Sequence, residues 1–92
     1  MAKLSEAEVV QQMARASGWQ REGDEIRRQF TFGDFVGSMG FVNQVALLAE
    51  KADHHPDITI NWNKVTLALS THDEGGLTTK DFDLAEKFNA LT

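Results

Sequence analysis

The side chains best suited to proton transfer in this chain are its three histidines, the adjacent His54 and His55 and, further on, His72. Imidazole titrates near neutral pH, so a group of histidines can both give and accept protons there. Elimination of water needs those two roles: one group protonates a departing hydroxyl while another takes a proton from the neighbouring atom. Two carboxylates stand where they could orient the rings. Glu50 lies one helical turn before His54 and is expected to hydrogen-bond to it. Asp81 is expected to serve His72 across the Gly75-Gly76 loop.

Each of these residues also has a structural reading. A histidine before Pro56 is commonly a loop residue, and Glu50-Lys51 fits a solvated helix end. Asp81 suits the first turn of a helix through the macrodipole alone. Three imidazoles with two carboxylates could also bind zinc. Adjacent histidines seldom aim at one ion, and the i, i+4 histidine pair of a helical zinc site is missing, so no metal is expected. Spacing by itself leaves acid–base catalysis, metal binding and a structural role all open.

The elements that must position these residues follow from caps and periodicity. Ser5 and Glu8 have the capping-box spacing, Val9, Met13 and Ala16 recur at helical intervals, and Gly18 supplies a stop, which predicts a helix from Ser5 to Ser17. Strands are predicted over 19–22 and 25–32 around a Gly23-Asp24 turn, with Ile26, Phe30 and Phe32 on one face and Arg28 interrupting it. Asp34 is the expected N-cap of a long helix over 35–53 that Pro56 ends. Ile58, Ile60 and Trp62 alternate as a third strand, and Asn63-Lys64 is a candidate turn. Val65, Leu67 and Leu69 alternate as a fourth, with Thr66, Ala68, Ser70 and His72 opposite. Thr78 and Asp81 repeat the capping spacing before a last helix with Phe82, Ala85, Phe88 and Leu91. The expected fold is α+β, in the order α-β-β-α-β-β-α, a four-stranded antiparallel sheet with helices packed on one face.

At 92 residues the chain is expected to be a single domain, 1–92, and a small one with a thin stability margin. It has no cysteine, so disulfides and thiolate zinc sites are excluded. A net charge of −5 argues against nucleic acid as a ligand. Arg21, Arg27 and Arg28 are interleaved with Glu22, Asp24 and Glu25 and read as a solvated hairpin. The amino terminus does not resemble a secretory signal, and no apolar run approaches the roughly 20 residues of a membrane span, so a cytoplasmic protein without membrane contact is expected. The long helix carries two apolar stripes. One holds Phe35, Met39, Val42, Ala46 and Ala49, which the sheet should cover. The other holds Phe41, Val45, Leu48 and Ala52, left for a partner, so a homodimer or homotetramer is expected. Gly37 and Gly40 are costly inside a helix, at about 1 kcal/mol each, and fit close approach of another backbone.

The run Glu50-Lys51-Ala52-Asp53-His54-His55-Pro56, then Asn63-Lys64-Val65, Ser70-Thr71-His72-Asp73 and Gly76-Leu77-Thr78 with Asp81, closely resembles the pterin-4a-carbinolamine dehydratase family. The pattern covers about the carboxy-terminal half and sets several residue types at fixed separations. The resemblance implies dehydration of a 4a-hydroxytetrahydropterin to the quinonoid dihydropterin, in tetrahydrobiopterin recycling, with no metal or organic cofactor. It implies that His54 and His72 transfer protons and that His55 positions the pterin. Asp53, Ser70, Thr71 and Asp73 would line the pocket, and Glu50 and Asp81 would orient the imidazoles. Asp73 departs from the pattern, standing where mammalian members have Glu. The same fold also serves as a non-catalytic module, a transcriptional cofactor or an assembly chaperone. Retention of all three histidines and both carboxylates favours the enzyme. An accessory role on a related ring, such as a molybdenum-cofactor pterin, is a third reading.

Overall fold

Ser5 and Glu8 close the capping box that their spacing predicts. The Ser5 hydroxyl accepts from the Glu8 N–H at 3.2 Å, and Glu8 Oε1 accepts from the Ser5 N–H at 2.8 Å. They open α1 (Glu6–Gln12) in the computed structural model, which describes residues 2–92. The helix is shorter than the 5–17 span that periodicity suggests. Met13–Arg15 tighten into a 3₁₀ turn, and Gly18, at φ 83°, leads the chain towards the sheet.

β1 (Gln20–Glu22) and β2 (Glu25–Thr31) form the expected hairpin around Gly23-Asp24, with Gly23 at φ 62°. Asp34 caps α2 (Phe35–Ala52), its carboxylate accepting from the Gly37 N–H at 2.8 Å. β3 (Asp57–Asn61), β4 (Lys64–Leu69) and α3 (Thr79–Asn89) complete the order α-β-β-α-β-β-α. The four strands make one antiparallel sheet in the order β1-β2-β4-β3. The chain is therefore α+β, as its pattern predicts.

The end of α2 falls where its pattern predicts but is made by a different device, and one turn is shifted. α2 ends before Pro56, at Asp53, which takes φ 52°. The Asp53 N–H donates to the Glu50 carbonyl and the His54 N–H to the Ala49 carbonyl, both at 3.1 Å, so a left-handed closure satisfies the last carbonyls. The β3–β4 turn is Trp62-Asn63, since Lys64 pairs with Asn61. It is held from outside: the Ser38 hydroxyl donates to the Trp62 carbonyl at 2.7 Å and Asn63 Nδ2 to the Phe32 carbonyl at 2.9 Å.

Register sets the core. Ile26 pairs with Leu69 and Phe30 with Val65, so these side chains share one face of the sheet. Phe41 and Val45 of α2 and Leu84, Ala85 and Phe88 of α3 are buried with them in one cluster. Arg28 shares that face without breaking it. Its guanidinium lies 4.3 Å from the Phe30 ring centroid and donates to the Ser17 carbonyl and to Asn89 Oδ1.

The stripe of α2 that enters this core is the one expected to be left for a partner. Phe41 and Val45 are 4% and 0% exposed, while Phe35 is 51% exposed. Buried Ser38 is tied to Trp62 at the sheet, and Phe41, Val45 and Ala49 come after it on the same side of the helix. The case for a subunit contact through Phe41, Val45 and Leu48 therefore falls. Gly37 is also explained within the chain, because a Cβ there would stand 3.2 Å from Phe32 Cβ. Among the described residues no helix is long and apolar enough to cross a membrane.

Candidate active site

His54 and His55 leave α2 through the left-handed closure at Asp53, and the two rings reach different carboxylates. Asp81 sits in the first turn of α3 and completes the capping box with Thr78. Its Oδ2 accepts from the Thr78 N–H at 3.0 Å and from the Thr71 hydroxyl at 2.8 Å, and its Oδ1 meets His54 Nε2 at 2.6 Å. The Asp81 side chain is fully buried and that of His54 is 12% exposed. Against an ionised Asp81, which only accepts, the His54 proton sits on Nε2 and Nδ1 is the acceptor nitrogen of a neutral ring. Glu50 Oε1 meets His55 Nε2 at 2.5 Å, with both side chains exposed.

The carboxylates are thus paired differently from the spacing-based expectation: Glu50 serves His55, and Asp81 serves His54. The i, i+4 relation of Glu50 to His54 needs a helical path, and the φ of 52° at Asp53 takes His54 off that face. His72 opens a 3₁₀ turn, His72–Glu74, closed by Gly75 at φ 74°. Thr71 bridges to Gly76 across this turn, donating its N–H to the Gly76 carbonyl at 3.0 Å. Through Asp81, His54 is joined to Thr71, the residue before His72.

His55 and His72 line a cleft of about 370 Å³, together with Ala68 and Ser70 of the β4 end. Ala68 alternates with Leu67 and Leu69, which are buried against the helices, so the cleft lies on the other face of the sheet. Ser70, His55 and His72 are the expected pocket residues found on it. His54, paired with buried Asp81, is not part of its lining, and Thr71 is buried with its hydroxyl committed to Asp81. Asp53 and Asp73 are exposed and do not line it. Sequence reasoning missed the contribution of Glu22, Asp24 and Glu25, from the β1–β2 hairpin, and of Asp57. For the three hairpin carboxylates the signal was the mixed charge run, which reads as a solvated hairpin, and Asp57 carried none. Among the described residues no group of three or more His, Cys, Asp or Glu is placed to hold a metal ion.

Two imidazole–carboxylate pairs and an open cleft on an α+β domain are the groups that proton transfer to a small ligand would use. The family described as pterin 4 alpha carbinolamine dehydratase matches residues 2–91, and the chain belongs to that family. A relative from Roseiflexus sp. (strain RS-1), provisionally named pterin-4-alpha-carbinolamine dehydratase, is 52% identical over 89 residues, covering 97% of this chain and 96% of its own. A similarly named relative from Chloroflexus aurantiacus (strain ATCC 29366 / DSM 635 / J-10-fl) is 54% identical over 91 residues, covering 99% and 98%. The crystal structure of a transcriptional coactivator/pterin dehydratase from Brucella melitensis superposes with a TM-score of 0.93 at 41% identity, over 97% of each chain. A pterin dehydratase-like protein identified as a RuBisCO assembly factor in the alpha-carboxysome shares the fold, with a TM-score of 0.67 at 23% identity over 79% of this chain and 84% of that one.

Proposed function

We propose that this protein dehydrates a 4a-hydroxytetrahydropterin to the quinonoid dihydropterin, the step that returns an oxidised pterin to its recycling route, by histidine acid–base catalysis. The observation that carries this reading is the placement of His55 and His72 on one cleft, with His54 joined to the same strand end through Asp81. The C4a–O bond breaks as one group protonates the leaving hydroxyl, and the N5 proton goes to a second group, so that one water leaves. His72, on the cleft wall, and His54, backed by a buried carboxylate, are the proton-transfer groups in this reading. His55, held by Glu50, positions the ring. His55 lines the cleft, within reach of the ring it positions.

The test is dehydration of a synthetic 4a-hydroxytetrahydropterin at neutral pH, monitored by absorbance. A rate above the spontaneous one, unchanged by chelator, is expected. A rate equal to the spontaneous one refutes the reading, and loss on chelation with recovery on adding zinc replaces it by a metal mechanism.

Self-association is part of the same proposal, on other surfaces than the buried stripe. Phe35, Val36 and Leu47 of α2 are exposed, as are Ile58, Ile60 and Trp62 along the edge strand and its turn. Exposed apolar residues in that number support a homo-oligomer.

A further inference from the structure

Ser70 stands beside the cleft but spends its hydroxyl on the protein. It donates to the Asp24 carbonyl at 2.7 Å, tying the β1–β2 turn to the end of β4, two residues before His72. The hairpin so held walls the same cleft that His55 and His72 line. That wall is acidic, with Glu22, Asp24 and Glu25 from the hairpin and Asp57 from β3. The nearby cations do not line the cleft. Arg27 approaches Glu22 at 3.8 Å, and Arg21 is engaged by Glu6 at 2.7 Å, the contact that chiefly raises its pKa. These carboxylates are no site of their own. They surround the cleft proposed as the dehydratase site, and a role for them in selecting substrate rests on that proposal.

We propose that the β1–β2 hairpin, pinned by Ser70, selects the substrate by charge: the cleft takes tetrahydropterins with neutral or cationic side chains and turns away those whose side chains carry carboxylate or phosphate. Carboxylates facing one cavity add their potentials, and the low-dielectric walls focus them. A second anion placed among the carboxylates would lose hydration and gain no partner. Ser70 is a positioning residue in this scheme, acting through the turn it holds.

The test compares two synthetic 4a-hydroxytetrahydropterins, one with a dihydroxypropyl side chain and one whose side chain ends in phosphate. At low ionic strength wild type should favour the neutral substrate in kcat/KM by about tenfold or more. The preference should shrink as salt is raised to physiological strength. Glu22→Gln with Glu25→Gln should lower the preference several-fold, mainly through KM for the phosphorylated substrate. Ser70→Ala should lower it as well, while Ser70→Thr, which keeps a hydroxyl, should retain it. Thermal melts verify folding, and the paired glutamine variant, built at surface side chains, decides the matter should Ser70→Ala not fold. Equal turnover of the two substrates by wild type, or a preference that survives the glutamine variant, overturns the hairpin proposal and leaves the dehydratase reading standing. Turnover of neither substrate overturns both.

Discussion

Replacing Asp81 with Asn keeps the shape of the side chain and removes its charge. The new amide oxygen can still accept from the Thr78 N–H and the Thr71 hydroxyl, which meet Asp81 Oδ2 at 3.0 and 2.8 Å. Its NH₂ then faces His54 Nε2 across the 2.6 Å contact that a carboxylate oxygen now accepts. Two donors cannot share that contact, so the neutral ring must move its proton to Nδ1 and lose the lone pair with which that nitrogen could accept a proton. The dehydration rate should fall by about 10²–10⁴, the contribution of one positioned acid or base in its correct tautomer. Stability should fall less. Bonds to a charged acceptor become neutral ones, at about 1 kcal/mol each, partly offset because a buried charge is removed. A net loss of about 1–2 kcal/mol would lower Tm by roughly 4–16 °C in a domain of this size. The measurements are stopped-flow dehydration, thermal melting and ¹⁵N shifts of the His54 ring. A variant with the wild-type rate, or one whose His54 still carries its proton on Nε2, would refute the reasoning.

Alanine at His54 or at His72 should each reduce the catalysed rate by about 10²–10⁴, whereas His55→Ala should act mainly on KM. Steady-state kinetics of the three variants decide this, and a double His54/His72 variant with full activity would sink the assignment. Phe41→Ala should cost about 3–5 kcal/mol in urea unfolding. That ring is buried, 4.6 Å from Phe30 and 5.0 Å from Phe32 between centroids, and truncating it opens a cavity in this chain's own core. Self-association should instead respond to Leu47→Asp with Trp62→Asp, both at exposed positions, with a drop in mass by light scattering while the fold is retained. Wild type that is already monomeric at micromolar concentration would end the oligomer proposal.

What the sequence determined by itself is local. Ser5 with Glu8, Asp34 with Gly37 and Thr78 with Asp81 each make the cap that their spacing predicts, since donor and acceptor lie within one turn of chain. Alternation on β2 and β4 likewise told which side chains face inwards, because period two leaves no other choice. The histidines stood out as a candidate acid–base set by their type and by the motif around them. Which carboxylate each ring meets was not, because that turned on the left-handed φ at Asp53 and on the docking of α3. The choice between the two stripes of α2 was equally open, both being apolar, until Ser38 tied the helix to the Trp62 turn and set its rotation. Only tertiary structure brought the hairpin carboxylates to the histidine cleft. Glu22 and His72 lie far apart in sequence, and the pairing of β2 with β4 and the Ser70–Asp24 bond bring them to one cleft.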